Sequence, residues 1–188
     1  MSNPKYIINH QKIKSMRKRD PFIGTDTGYL RLELAGAPHL LTHKRYVSII
    51  AKELNRAIRS RQIKVGAYDI TPGVLELLVQ RVEMPLPLWR DAFVSNLSCA
   101  IYARLEREVR GHRGEWLKHY VDERGVISPP LLWSRQVYQP ILSSEMYEEK
   151  QLRMWLLPVR EGLVTDMAYY PYNSINNRAG IQQLGINW

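Results

Sequence analysis

Cysteine is almost absent from this chain of 188 residues, which has only Cys99. A single thiol excludes a disulfide framework and a cysteine-based zinc site, and it fits a reducing compartment. Long apolar runs are missing too. No stretch approaches the roughly 20 apolar residues that a membrane-crossing helix needs. The first 20 residues scatter charge among their apolar side chains, so they lack the apolar core of a secretory signal. Histidine is sparse. His10, His39, His43, His112 and His119 offer no His or Cys pair at the spacing of metal ligands on one strand. His39 and His43 are four apart but straddle an expected helix start. Neither a G-x-G-x-x-G loop, a P-loop lysine pattern nor a G-x-S-x-G elbow occurs. Acidic residues are the minority, 18 Asp and Glu against 27 Lys and Arg, for a net charge of +9. That excess suits an anionic partner, foremost nucleic acid.

What is present describes a folded protein. At 45% hydrophobic and 24% charged residues, the composition and length predict one domain, or at most two small ones. Residues 1–21 read as a basic arm that ends at Asp20-Pro21. From Tyr29 to Leu34, apolar and charged residues alternate, the pattern of a half-buried strand with Arg31 and Glu33 on its outer face. Thr42 is a candidate cap for a helix running to about Arg61, on which Tyr46, Ile50, Leu54 and Ala57 share a face. Strands at Lys64–Ile70 and Val74–Val79, joined by Thr71-Pro72-Gly73, should pair antiparallel.

After Pro85 and Pro87 comes the longest helical pattern, roughly Leu88 to Val109, with Trp89, Phe93, Leu97, Ile101 and Leu105 repeating every four residues. A glycine-rich stretch follows, with a short helix around Glu115 to Tyr120. Trp133–Ile141 reads as a strand. Ser143 or Ser144 caps a last helix carrying Met146, Leu152, Trp155 and Leu156, which should stop near Pro158. Residues 176–188 read as a polar tail. Hairpin-length connections between strands predict α+β, a central antiparallel sheet with packed helices.

Candidates for chemistry are few. Ser98, Tyr102 and Glu106 recur at steps of four and form a polar stripe on the long helix. Arg104, Arg107, Arg110 and Arg113 follow at steps of three, a spiral that suits a curved phosphate backbone or simple solvation. Candidate phosphate contacts are Lys12, Lys14, Arg17, Lys18 and Arg19 in the arm, then Lys44, Arg45, Arg56, Arg59, Arg61 and Lys64, with Arg104 and Arg107 on the long helix. These residues by themselves define a basic α+β domain suited to nucleic acid.

The order of elements also resembles the REP-associated tyrosine transposases, of the single-tyrosine, His-hydrophobic-His class of DNA nicking enzymes. The resemblance is carried by LLTHKR at 40–45, AYDITPGVLELL at 67–78 and LWSRQVY at 132–138. LRMWLLPVREGLV at 152–164 and YPYNS at 170–174 add to it. It spans residues 28–175, within an expected domain at 22–175, and its most specific piece is Pro-Val-x-x-Gly-Leu-Val. The resemblance implies a central antiparallel sheet, a homodimer or action on hairpin DNA, and Mg²⁺ or Mn²⁺ held by two histidines of a central strand. A tyrosine would then attack the scissile phosphate.

In this chain Val74 and Glu76 stand at the two histidine positions, and Gly73 at the asparagine before them. By the same resemblance Tyr102 falls near the nucleophile, with Glu106 one turn on. Three expectations follow. The first is a cytoplasmic, nucleoid-associated protein that binds hairpin or single-stranded DNA without cutting it, needing no cofactor. The second is a divergent nicking and strand-transfer enzyme using Tyr102, with Glu76 and Glu106 on Mg²⁺ or Mn²⁺. The third is a protein-interaction subunit of a larger assembly.

Overall fold

A computed structural model describes residues 26–36, 39–108 and 132–181. The basic arm at 1–21, the expected helix at 115–120, Arg110 and Arg113 lie outside the described residues. The elements run β1 (Thr27–Leu34), α1 (Lys44–Arg59), β2 (Ile63–Ile70), β3 (Val74–Arg81), α2 (Leu86–Glu108), β4 (Trp133–Ile141) and α3 (Ser144–Arg160). A single 3-10 turn follows at Met167–Tyr169. The four strands form one sheet in the order β2-β3-β1-β4, with every neighbouring pair antiparallel. The fold is thus α+β, as expected. Among the described residues no helix is long and apolar enough to cross a membrane.

The sheet is covered on both faces. Alternation along each strand sends Leu30 and Leu32 of β1, Val65 and Ile70 of β2, and Leu75, Leu77 and Val79 of β3 into the main core. There they meet Ile50 and Leu54 of α1 and Trp89, Phe93, Leu97 and Ile101 of α2. The opposite face carries a smaller cluster, Tyr29, Ala67, Leu78 and Ile141, covered by Tyr147 and Met154 of α3. Burying both faces makes a three-layer arrangement with α1 and α2 on one side and α3 on the other.

Local chemistry sets the element ends. The cap of α1 is His43 rather than Thr42, its Nδ1 accepting from the Arg45 N–H at 3.4 Å. Ser143 caps α3, its Oγ accepting from the Met146 N–H at 3.2 Å. α3 continues past Pro158 to Arg160, and its buried residues are Tyr147, Met154, Trp155 and Pro158. Met146, Leu152 and Leu156 are only half-buried. The β2–β3 turn closes through Thr71 N–H to Val74 O at 2.9 Å. Residues 176–181, expected to begin a polar tail, are mostly exposed but contact the fold. Asn177 accepts from the Tyr68 hydroxyl at 2.8 Å, and Ile181 is fully buried in the main core.

Candidate functional site

Antiparallel register lines up one row of side chains across the sheet. Asp69 of β2 lies opposite Glu76 of β3, Glu76 opposite Arg31 of β1, and Arg31 opposite Val137 of β4. Since Leu75 and Leu77 face α1 and α2, Glu76 faces the α3 side, as does Val74. Glu76 Oε1 accepts from the Tyr29 hydroxyl and from Arg31 Nη1, the latter at 2.5 Å. Arg31 Nε also donates to Glu33 Oε1 at 2.7 Å, and Lys150 Nζ lies 5.0 Å from the Tyr29 ring centre. Arg31 and Glu33, expected on a solvent face, are therefore half-buried members of a cluster beneath α3.

Burial controls the charges in this row. Asp69 is 0% exposed and neither of its carboxylate oxygens has a hydrogen-bond partner. Burial, then the charges of Glu76 and Glu161, hold its carboxyl up at about 9, so it is neutral at pH 7. Tyr29 is pushed upward by burial and by Glu76. Arg31 is held above its ordinary value. Burial opposes this, but the hydrogen bonds to Glu33 and Glu76 outweigh it. Glu161, just past the end of α3, is raised by burial.

The residues on this face do not fit the divalent ion that the resemblance implies. Val74 offers no donor atom, and one oxygen of Glu76 is committed to Arg31 and Tyr29, which leaves its other oxygen and the Asp69 carboxyl beside a guanidinium. Among the described residues no group of three or more His, Cys, Asp or Glu side chains is arranged to hold a metal. Mg²⁺ takes oxygen ligands in near-octahedral geometry, and an arginine inside that set repels it.

Tyr102 and Glu106 lie elsewhere. Tyr102 is buried in the main core on the α1–α2 side of the sheet, with burial pushing its hydroxyl up to about 12. Glu106 is exposed on α2. Glu76 is on the other face, so the sheet separates it from both. Ser98 is committed to structure, accepting from the Trp133 indole N–H at 2.8 Å and donating to the Val94 carbonyl at 2.7 Å. The polar stripe expected on α2 is thus half core. The tyrosine that α3 brings to the Glu76 face, Tyr147, is 1% exposed.

The candidate phosphate contacts split into two groups, at opposite ends of the α1–α2 layer. Lys44 and Arg45 begin α1, beside Arg104 and Arg107 in the last turns of α2. Here the buried Glu108 accepts from Arg45 Nη1 at 2.9 Å, from the Tyr46 hydroxyl at 3.0 Å and from Arg104 Nε at 2.8 Å. Arg45 and Arg104 therefore join α1 to α2. At the other end, Arg56 pairs with Glu53 at 2.6 Å and Arg61 with Glu83 at 3.2 Å. Lys44, Arg59 and Arg107 form none of the ion pairs seen among the described residues, nor does Lys64, which lies opposite Gln80 and so points to the α3 face of the sheet rather than into this layer. Lys12, Lys14, Arg17, Lys18 and Arg19 lie outside the described residues.

Sequence reasoning passed over Tyr29, Arg31, Asp69 and Glu108. The signal for the first three is cross-strand register, which exists only once β1, β2 and β3 are paired.

Neither a protein-family model nor a curated protein matches the chain. Solved structures do. A REP-associated tyrosine transposase bound to a REP hairpin aligns over 92% of this chain and 90% of its own, with a TM-score of 0.57 and 15% identity. A putative transposase from Deinococcus radiodurans R1 aligns over 73% of this chain and 94% of its own, with a TM-score of 0.44 and 12% identity. The chain has a transposase-like fold.

Proposed function

We propose that this protein is a transposase-like DNA-binding protein that holds hairpin or single-stranded DNA without cutting it. The observation that carries the proposal is the closed Tyr29–Glu76–Arg31 group on a transposase-like fold. A nicking centre needs an open cation site and an accessible nucleophile converging on one phosphate. Here the carboxylate at the expected ligand position serves an arginine. Tyr102 lies across the sheet, and Tyr147 is buried under α3. The similar structure bound to a REP hairpin, together with the +9 charge, favours DNA as the partner. As a DNA binder the protein would reside with the nucleoid, and the homodimer belongs to the same proposal.

Two measurements test it. Hairpin and single-stranded oligonucleotides should be retained at low salt and released steeply as salt rises, because phosphate neutralisation frees condensed counterions. No retention at low salt refutes binding. Incubation of the same hairpins with Mg²⁺ or Mn²⁺ should give no covalent adduct on denaturing gels. An adduct that is lost in Tyr102→Phe or Tyr147→Phe refutes the absence of cleavage.

A further inference from the structure

The outward face of α1 carries charge of one sign. The helix holds five cations, Lys44, Arg45, Lys52, Arg56 and Arg59, against one carboxylate, Glu53. At 3.6 residues per turn all five fall within an arc of about 120°, turned away from the arc of Tyr46, Ile50, Leu54 and Ala57 that enters the core. All five are exposed, and the other residues on their arc are Ser48 and Asn55. The Glu53 side chain is only 14% exposed and is spent on Arg56. Lys44, Lys52 and Arg59 form none of the ion pairs seen among the described residues.

Two features of this face work against the helix itself. Lys44 and Arg45 fill a first turn that has no acidic residue, so cations stand at the positive end of the helix dipole. Lys52 and Arg56 are like charges one turn apart, a destabilising spacing at which a merely solvated face alternates Glu with Lys. A pattern kept at a cost to its own helix points to an anionic partner. The arc also lacks any aromatic or apolar side chain. Proteins that hold single strands stack the bases on aromatic rings, so this face suits phosphates rather than bases. Lys52 joins the basic groups at the two ends of the α1–α2 layer into one row about 22 Å long. Paired DNA of that length carries about 13 phosphates, twice the number on either strand alone.

We propose that the outward face of α1 is a rail for the sugar-phosphate backbone of paired DNA, the stem of a hairpin. The rail rests on the DNA-binding proposal and adds to it the surface that binds and the form of DNA held there. Such contacts fix position on the duplex without reading its sequence.

The full chain is compared with two triple variants that lose equal charge. The first combines Lys44→Gln, Lys52→Gln and Arg59→Gln. The second combines Arg135→Gln, Arg153→Gln and Arg160→Gln, exposed arginines of β4 and α3 away from the rail. Filter binding over a range of salt uses two probes, a hairpin with a long paired stem and oligothymidylate, which cannot pair. The first variant should lower the salt slope for the hairpin by about 3, leave that for oligothymidylate unchanged and melt no lower than the parent. The second should leave both slopes unchanged. Lys52→Glu, a single exposed change in the middle of the row, should by itself weaken hairpin binding at least tenfold at low salt. A hairpin response unchanged in the first variant and in Lys52→Glu overturns the rail and leaves DNA binding standing. Equal losses in the two triple variants overturn it in favour of diffuse attraction. Equal losses on the two probes, or a parent that retains oligothymidylate alone, overturn the paired stem as its occupant. If the parent retains neither probe at low salt, DNA binding falls and the rail with it.

Discussion

Arg31 and Glu76 face each other across the β1–β3 pair, and the guanidinium Nη1 donates to the carboxylate at 2.5 Å. The Glu76 side chain is 1% exposed and that of Arg31 20%, so this pair is largely buried on the α3 side of the sheet. Removing only one partner leaves a buried charge without compensation, which costs far more than the net worth of the pair.

Arg31→Met should therefore destabilise the protein by about 3 kcal/mol. The double variant Arg31→Met with Glu76→Leu should recover much of the loss, since two apolar side chains replace two charges in one place. Urea unfolding of the single and double variants checks this. A double variant no more stable than Arg31→Met contradicts it.

Asp69 gives the fold a pH dependence of definite sign. Its carboxyl titrates at about 9 when folded, against 3.8 in its ordinary state, so the folded chain binds the extra proton between those values. Stability from this group is complete below about 4 and falls as pH rises toward 9, by at most about 1.4 kcal/mol per pH unit. Asp69→Asn keeps the shape without the charge. It should flatten the decline between pH 6 and pH 9 and be more stable than the parent at pH 8. Unfolding midpoints across that range measure it.

How far the sequence foretold these groups depends on what covers each face. Alternation placed β1 and β3, the turn residues Thr71, Pro72 and Gly73 placed the hairpin, and the four-residue repeat from Trp89 placed α2. Alternation also made Arg31 and Glu33 look solvated. A strand's own pattern does not say whether a later helix, here α3, will lie over its polar side. Helical spacing likewise puts Tyr102 on a face of α2, but does not say on which side of the sheet α2 packs. Asp69 was invisible because its meaning depends on Glu76 lying directly across the ladder. The basic residues carried least information, since Arg45 and Arg104 have the same composition signal as Arg59 and Lys64 but a buried partner in Glu108.

That difference divides the arginines by effect. Arg59→Ala and Lys64→Ala should weaken DNA binding across sequences, each lowering the salt slope by about 1, and leave thermal stability unchanged. Glu108→Ala removes the acceptor of Arg45, Tyr46 and Arg104 and should cost about 1–2 kcal/mol, mostly from the buried Tyr46 hydroxyl it leaves without this acceptor, since both arginines reach solvent. Arg45→Ala should cost no more than about 1 kcal/mol, because the Arg45 side chain is 51% exposed. Filter binding at several salt concentrations, paired with melting curves, separates the two classes.

Gly28 is the last position with a determined outcome. A Cβ built there would lie 2.7 Å from Cε2 of Tyr138, whose ring crosses β1 from the edge strand β4 and receives the Arg90 guanidinium at 5.3 Å. No real Cβ sits that close to a carbon, so either the ring or the strand must shift. Gly28→Ala should destabilise by about 1–3 kcal/mol, the usual cost of forcing an extra group into a packed contact. Shortening the ring's side chain removes the obstacle, so Gly28→Ala should cost much less in a Tyr138→Ala background. A double-mutant cycle from urea unfolding reads the coupling, and strictly additive costs would place the strain in the backbone rather than against Tyr138.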